Sequence, residues 1–270
     1  MSNGKKTSPQ QLTVGIKDCK NSGDFLQLLS QHGAAFDHIH VGAAWSKFKS
    51  MQRRGDRGTR IEVVRTLQEL TESQMPKMNG RAVANILHAI AKAKAADTAR
   101  MKQLVQKLMA KATTVLQSFE PQAVANTVWA LATMGVTPEA GLLRAMQGRA
   151  TAVAGEFNPQ DVANTLWAHT CLGIPCGKRE QELFEILANR LLEMTSTLDV
   201  EDECQLHQWL LTFDLEPSWD LSSLVQVNVV KQQLGERCRR SFVVQDPNPS
   251  DLQVHLALIA YLTLSDRSLA

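Results

Sequence analysis

The 270-residue sequence contains few aromatic residues, with one Tyr and an aromatic content of 5%. It also has few of the β-branched runs between close turns that sandwiches and barrels need, which argues against an all-β fold. Alanine and leucine dominate, as helix-on-helix packing prefers. No apolar run reaches about 18 residues, so no membrane-spanning helix is expected.

Cysteine pairs and catalytic motifs are missing as well. The five cysteines form an odd number without a C-x-x-C pair, so no disulfide framework is expected. The sequence has no Gly-rich phosphate loop, no H-E-x-x-H helix and no nucleophile elbow. We therefore expect no catalytic residue, no cofactor and no metal, and a protein that is not an enzyme.

Three groups of possible metal ligands each have a simpler explanation. His38 and His40 precede a predicted helix and are expected to cap it or to face solvent. Cys171 and Cys176 flank a turn without the set of ligands that zinc prefers. The acidic residues at 199–203 fall at a helix start, where the helix dipole favours negative charge.

Charge is plentiful but unevenly distributed, although the formal net charge is only +2. Residues 45–111 carry 15 Lys and Arg against 5 Asp and Glu, whereas residues 112–236 carry 6 against 16. This segregation predicts one part that faces a polyanion and another part that faces solvent or a protein partner.

An internal repeat organises the chain. The block FEPQAVANTVWALATMG (119–135) returns 38 residues later as FNPQDVANTLWAHTCLG (157–173). A weaker copy, MNGRAVANILHAIAKAK (78–94), precedes them, and an eroded copy, FDHIHVGAAWSKFKSMQ (36–52), lies upstream of it. Periods of this length are typical of solenoid proteins. Each copy begins with an anchoring apolar residue, at Phe36, Met78, Phe119 and Phe157.

Each block has the start and stop signals of a helix. Asn158 suits an N-cap, Pro159 the first helical position, and Gly173 the left-handed residue after the helix. Pro121 and Gly135 hold the same places in the preceding copy. A second helical pattern follows each block, at residues 60–72, 98–117, 138–153 and 178–194. One unit is therefore a helical hairpin, and stacked hairpins form a solenoid with a groove.

The predicted fold class is all-α, a right-handed α-solenoid of about four to five hairpins. We expect an N-terminal extension or cap over residues 1–30 and a repeat array over residues 31–216. The repeats are expected near residues 36–75, 76–118, 119–156 and 157–197, with a degenerate capping repeat at 198–216. Residues 217–270 form a separate C-terminal segment.

The first helix of each repeat has two distinct faces. On a helical wheel of residues 121–134, Val124, Val128 and Leu131 share one face and are expected in the core. A second stripe combines polar and aromatic residues. Its members are Gln122, Asn126, Trp129 and Thr133 in one copy, Gln160, Asn164, Trp167 and Cys171 in the next, and Arg81, Asn85, His88 and Lys92 in the earlier one.

Two interpretations of this stripe are open. In one, it holds a nucleic-acid strand, with rings stacking on bases, amides reading base edges and cations meeting phosphates. In the other, its residues join neighbouring repeats. A residue that discriminates bases should differ between repeats, so the structural interpretation is favoured for Asn85, Asn126 and Asn164. For Trp129 and Trp167, a place in the core between repeats is likewise favoured. The varying positions are the better candidates for RNA contacts: Arg81, His88, Lys92, Gln122, Thr133 and Gln160.

The stretch WSKFKSMQRRGDRGTR (45–60) carries six basic residues against one acid. Such a run is commonly only a solvated face, but in a helical-repeat array it is equally suited to RNA. The candidate RNA-binding residues here are Lys47, Lys49, Arg53, Arg54, Arg57 and Arg60, and Lys94 follows later. Arg100, Lys107 and Lys111 share a face of the second helix that begins near residue 98.

The run P-Q-x-V-A-N-T-x-W-A-x-x-x-x-G resembles the octotricopeptide (OPR) repeats of organellar RNA-binding proteins. It is also similar to the helical arrays of FAST-kinase-like and RAP-domain proteins of mitochondria and plastids. The resemblance covers roughly residues 36–216 and is most specific at 119–173.

The C-terminal segment has a second resemblance. QLHQWLL (205–211) looks like the segment that precedes RAP domains, and residues 222–262 are similar to the lead-in to one, a helix followed by short strands. The acidic strand and Gly-Pro turn of that family are absent. We therefore expect a truncated or degenerate α/β remnant without nuclease activity.

The resemblance implies RNA binding in an organelle, the mitochondrion first and the plastid as the alternative, although the sequence has no clear transit peptide. The implied partners are organellar rRNA or mRNA and other proteins of a ribonucleoprotein, such as a mitochondrial ribosome, or of RNA maturation and stability. The alternative is a protein-interaction scaffold in a large organellar complex with little direct RNA contact, which the acidic residues 112–236 favour.

Overall fold

Helical hairpins make up the part of the chain that the structure, a computed structural model, describes: residues 7–51, 56–95, 98–215 and 223–244. In chain order, the hairpins pair α1 (Pro9–Asp18) with α2 (Ser22–His32), α3 (His38–Ser50) with α4 (Arg57–Gln74), α5 (Gly80–Lys92) with α6 (Ala99–Val115), α7 (Pro121–Thr133) with α8 (Ala140–Val153), α9 (Pro159–Cys171) with α10 (Lys178–Leu192), and α11 (Val200–Leu215) with α12 (Val225–Val244). The predicted all-α fold of stacked hairpins is confirmed, and its handedness stays a prediction.

The chain divides into two compact units, an N-terminal unit over Met1–Phe119 and a C-terminal unit over Glu120–Ala270. In the N-terminal unit α1, α3 and α5 pack side by side in one layer, and α2, α4 and α6 pack in another. In the C-terminal unit α7, α9 and α11 form one layer and α8, α10 and α12 the other. Each unit therefore has the two-layer stacking of an α-solenoid.

The hairpins outnumber the four to five that the repeat predicts, because both ends of the array also form them. Residues 9–32, expected to be an extension or cap, form α1 and α2 although they lack the repeated block. At the other end, α11 packs against α12, which includes the helix expected before the short strands. The expected strands lie outside the described residues.

The same short connection joins five of the second helices to the first helix that follows. A single 3-10 turn leads to a buried apolar anchor, and the anchor is followed by the N-cap of the next helix. The anchors are Phe36, Met78, Phe119, Phe157 and Leu198, all at most 8% exposed. Burial of the anchor fixes where the next helix starts, so successive first helices begin in the same register.

The N-caps that follow the anchors are mostly Asp or Asn. Asp37, Asn79, Asn158 and Asp199 each accept a hydrogen bond from the backbone N–H three residues ahead, which satisfies a donor that the helix leaves open. Glu120 holds the equivalent place before α7 without a side-chain cap bond. Gly135 and Gly173 end α7 and α9 with φ of +63° and +59°, as predicted from the repeat.

The core follows the predicted helix face. Val124, Val128 and Leu131 are at most 5% exposed. The small Ala125 beside them is fully buried, which allows the first helices to approach closely.

Candidate nucleic-acid interface

The capped starts place the stripe residues of successive first helices in equivalent positions. Counted from the N-cap, the ninth residue is Ser46 in α3, His88 in α5, Trp129 in α7, Trp167 in α9 and Gln208 in α11. The ninth position therefore changes from Ser and His in the N-terminal unit to Trp and Gln in the C-terminal unit.

Three side chains of the N-terminal unit form what we call the basic cluster: Lys49, His88 and Lys92. Lys49 lies in the last turn of α3, and His88 and Lys92 lie one turn apart near the end of α5. α3 packs directly against α5. Both lysines lie close enough to His88 to act on its charge, and Lys92 acts on Lys49 as well.

Burial and mutual repulsion set the protonation states of the basic cluster. Burial, followed by Lys49 and Lys92, lowers the pKa of His88 to about 4, so this imidazole is neutral at pH 7. Burial and Lys92 also lower the pKa of Lys49. Among the described residues, the ammonium group of Lys49 has neither an ion pair nor a hydrogen-bond partner. The basic cluster is therefore a partly desolvated positive site that an anion can neutralise.

Arg81 and Lys94 lie on either side of the basic cluster. Arg81 is exposed in the first turn of α5, seven residues before His88 and so roughly 10 Å away along the helix. Lys94 is exposed just beyond α5 and has a φ of 44°, at the place where the next two repeats have glycine. Asn85, between Arg81 and His88, is partly buried.

The other predicted basic residues occupy different parts of the hairpin. Lys47 donates a hydrogen bond of 2.6 Å to the carbonyl of Lys17 at the end of α1, so it joins two first helices. Arg57 and Arg60 lie in the first turn of α4, a second helix, and Nε of Arg60 is buried without a partner among the described residues. Arg53 and Arg54 lie outside the described residues.

The basic residues on one face of α6 contact other parts of the protein. Arg100 contacts Glu69 at 3.4 Å, Lys107 contacts Glu72 at 2.7 Å, and Lys111 donates to the carbonyl of Pro76 at 3.0 Å. These contacts join α6 to α4 and the turn after it. Three of the four basic residues of α6 therefore link repeats.

In the C-terminal unit, the stripe joins neighbouring first helices. Gln205 donates from Nε2 to Oδ1 of Asn164 at 3.1 Å, and Trp167 donates from Nε1 to Oε1 of Gln208 at 2.8 Å. The rings of Trp129 and Trp167 lie 6.2 Å apart, tilted by 31°. These contacts are those expected if this part of the stripe links repeats.

The remaining candidates of the C-terminal unit lie at the ends of the stripe. Gln122, Thr133 and Gln160 are exposed, and Asn126 is partly buried. The structure therefore leaves the varying positions more accessible than Asn164, which is 7% exposed.

Gln205 and Gln208 are the stripe residues that sequence reasoning missed. Their apolar neighbours Leu206 and Trp209 break the repeat pattern, which hides the register of α11. The signal that could have found them is Asp199, because counting from this N-cap places both amides in line with Asn164 and Trp167.

The charge of the two units is opposite in sign. The N-terminal unit carries 19 Lys and Arg against 8 Asp and Glu, and the C-terminal unit carries 10 against 19. A surplus of positive charge attracts a polyanion at long range, and a surplus of negative charge repels it. The basic cluster thus lies in the unit that is suited to nucleic acid.

The residues considered as metal ligands or nucleophiles have structural surroundings. His40 caps α3 and donates from Nε2 to the carbonyl of Pro9 at 3.0 Å, which confirms the capping interpretation. Burial raises the pKa of Cys171 to about 12 and that of Cys176 to about 11, so both thiols stay protonated at pH 7. In the described part of the chain, no three His, Cys, Asp or Glu side chains are placed to hold a metal ion. No helix within the described ranges has the length and apolar character needed to cross a membrane.

Comparison with known proteins gives the family. A sequence model described as the N-terminal domain of Tbc2 translation factor matches residues 58–206, which is more than half of the chain. The chain belongs to this family. No curated protein matches it. The matched residues run from α4 to α11, so they include both units and two of the three residues of the basic cluster.

Proposed function

We propose that this protein is a non-enzymatic RNA-binding helical-repeat factor that acts in organellar translation. The observation that carries the proposal is the basic cluster on the first helices of a unit with a large surplus of positive charge. Membership of a family described by a translation factor supports a role in translation. The octotricopeptide-like and RAP-like sequence features support placement in a mitochondrion or plastid, as part of a ribonucleoprotein such as a ribosome or an RNA maturation complex.

RNA would contact the N-terminal unit along α3 and α5. Lys49 and Lys92 would meet phosphates, because both are cations at the ends of adjacent first helices. Exposed Arg81 would extend this contact toward the start of α5, and Arg57 and Arg60 would add positive charge at the start of α4. Gln122, Thr133 and Gln160 are exposed polar side chains of the kind that can contact bases.

The test is the salt dependence of RNA affinity for the wild type and a Lys49→Ala/Lys92→Ala variant. Each phosphate contact to a single strand contributes about 0.7 to the slope of log affinity against log salt, so the slope should fall by about 1.4. Lys178→Ala/Arg179→Ala is the matched control, because it removes two exposed charges from the second helix α10. Equal slopes for the wild type and the cluster variant would refute the assignment.

The basic residues before and within α4 need a separate variant. Changing Arg53, Arg54, Arg57 and Arg60 to Ala tests whether RNA also follows the start of this second helix. A lower affinity with a smaller salt slope would extend the interface to it. An unchanged affinity and slope would limit the interface to the first helices.

The acidic C-terminal unit favours a second candidate function, a protein-interaction scaffold in a large organellar complex. Its 19 Asp and Glu against 10 Lys and Arg would repel RNA and suit a basic protein surface. A protein partner that stays bound through nuclease treatment and is released by charge reversal in this unit would support the scaffold. A lone monomer after the same treatment would contradict it.

A further inference from the structure

The basic cluster combines two kinds of side chain that respond differently to an anion. Lys49 and Lys92 are cations that attract a phosphate, whereas His88 is a base kept neutral by burial and by those two lysines. His88 is partly buried and lies one turn before Lys92 on α5. A phosphate bound to the lysines would therefore sit close to an imidazole that can still accept a proton.

Two lysines act on the charge of His88. Lys49 acts on it from α3, and Lys92 acts on it from α5 itself. α6 also packs on α5, but its Arg100 and Lys107 pair with carboxylates of α4. The ammonium group of Lys49 has no carboxylate partner among the described residues, so the cluster is not already neutralised from that side.

We propose that Lys49, His88 and Lys92 form a binding site for a phosphodiester group of RNA, and that His88 takes up a proton from solvent when the phosphate binds. This inference rests on the proposed RNA-binding function. The phosphate adds negative charge beside His88 and offsets the repulsion from the two lysines, so the imidazolium form becomes favourable. Because binding and protonation are linked, acid strengthens RNA binding and RNA raises the proton affinity of His88.

The first measurement follows the His88 ring by NMR over a pH titration of the whole chain. The His88 resonance is assigned by its loss in His88→Gln. In free protein the transition should lie near the pKa of about 4. With a short single-stranded RNA or with inorganic tripolyphosphate it should move toward pH 6. A transition that neither anion moves would overturn the proposal.

The second measurement compares RNA affinity at pH 7.5 and pH 5 at constant ionic strength, for the wild type and His88→Gln. A return of the pKa from about 4 to near 6 makes the wild type bind about tenfold more tightly at pH 5. His88→Gln should lack this gain, because glutamine cannot take up a proton. The other histidines are unchanged, so any effect they have on RNA affinity is the same in both proteins. His88→Trp, which introduces the residue of the next two repeats, should lack it too and serves if the Gln variant folds poorly.

The outcomes separate this site from the proposed function. If RNA binds the wild type and both variants with the same pH dependence, the phosphate site at His88 is refuted and RNA binding stands. If RNA binds none of them at either pH, the proposed function fails and the site fails with it. A pH gain confined to the wild type, together with the NMR shift, supports the proposal.

Discussion

Replacing Gly80 by Ala should destabilise the N-terminal unit, although it removes a glycine from a helix. Gly80 is the first residue of α5 and packs against the buried anchor Phe119. A Cβ at this position would lie 2.4, 2.9 and 3.0 Å from Cδ2, Cε2 and Cγ of the Phe119 ring. These distances are well inside van der Waals contact, so the ring or the start of the helix has to move.

The magnitude follows from two opposing effects. Overpacking a well-filled core costs about 1–3 kcal/mol. Exchanging Gly for Ala at a compatible position stabilises by about 0.4–1 kcal/mol through the unfolded chain. The net expectation for Gly80→Ala is a loss of about 1–2 kcal/mol in the free energy of unfolding. Movement of the helix start would also disturb the 2.9 Å bond that the Gly80 N–H donates to Oγ of Ser118.

Urea unfolding followed by circular dichroism measures this loss against a matched control. Gly148 lies within α8, and a Cβ there meets no heavy atom within 4 Å. Gly148→Ala should therefore stabilise the protein by about 0.5–1 kcal/mol. Phe119→Leu should partly relieve the clash, so the double variant should lose less than the two single losses added together. A Gly80→Ala protein as stable as Gly148→Ala would refute the packing argument.

Three further predictions concern buried charge and backbone strain. Burial raises the pKa of Asp202 to about 6, above about 3.9 in the unfolded chain, so its contribution to stability is full below pH 4 and lost as pH rises through 6. Asp202→Asn should therefore stabilise by about 1–2 kcal/mol in urea unfolding at pH 7 but not at pH 4, and equal gains at both would contradict it. The contribution of His88 to stability has the opposite pH dependence. Its pKa of about 4 lies below about 6.5 in the unfolded chain, so this contribution is present above pH 6.5 and lost as pH falls through 4. His88→Gln should flatten the stability of the RNA-free protein between pH 6.5 and pH 4, and an unchanged acid profile would argue against a buried neutral ring. Lys94→Gly should raise the free energy of unfolding by about 1 kcal/mol because Lys94 has a φ of 44°, whereas Gly135→Lys should lower it, and the opposite order would refute strain.

Helix starts and stops were predictable because local chemistry sets them. Asn158 and Pro159 mark the start of α9, and Gly135 and Gly173 mark helix ends that need a left-handed residue. The 3-10 turns before the anchors have no such marker in the sequence, since five different tripeptides form them. Burial of the residue that follows selects this turn, and burial is a tertiary effect.

The basic cluster was only partly predictable. His88 and Lys92 belong to the recognisable stripe of α5, but Lys49 lies in the eroded repeat and was assigned only to a run of basic residues. Which lysine of that run lies beside His88 depends on how α3 packs against α5. Lys47, two residues away, instead contacts the end of α1. Composition cannot distinguish the two lysines, because the difference is the direction in which each leaves the same helix.

Contacts between repeats restrict which residues the stripe can hold at Asn164 and Trp167. A side chain that bonds the next hairpin, such as Asn164 to Gln205, needs a partner at a fixed place, which limits the residues that can replace it. The second helices link repeats with charges instead, as Lys107 does with Glu72.

Lys49 lies on a first helix and takes part in neither kind of link. Its partly desolvated charge destabilises the folded chain unless an anion offsets it. Retaining such a charge is understandable if the anion is a ligand, so RNA should stabilise the wild type against unfolding more than it stabilises Lys49→Ala.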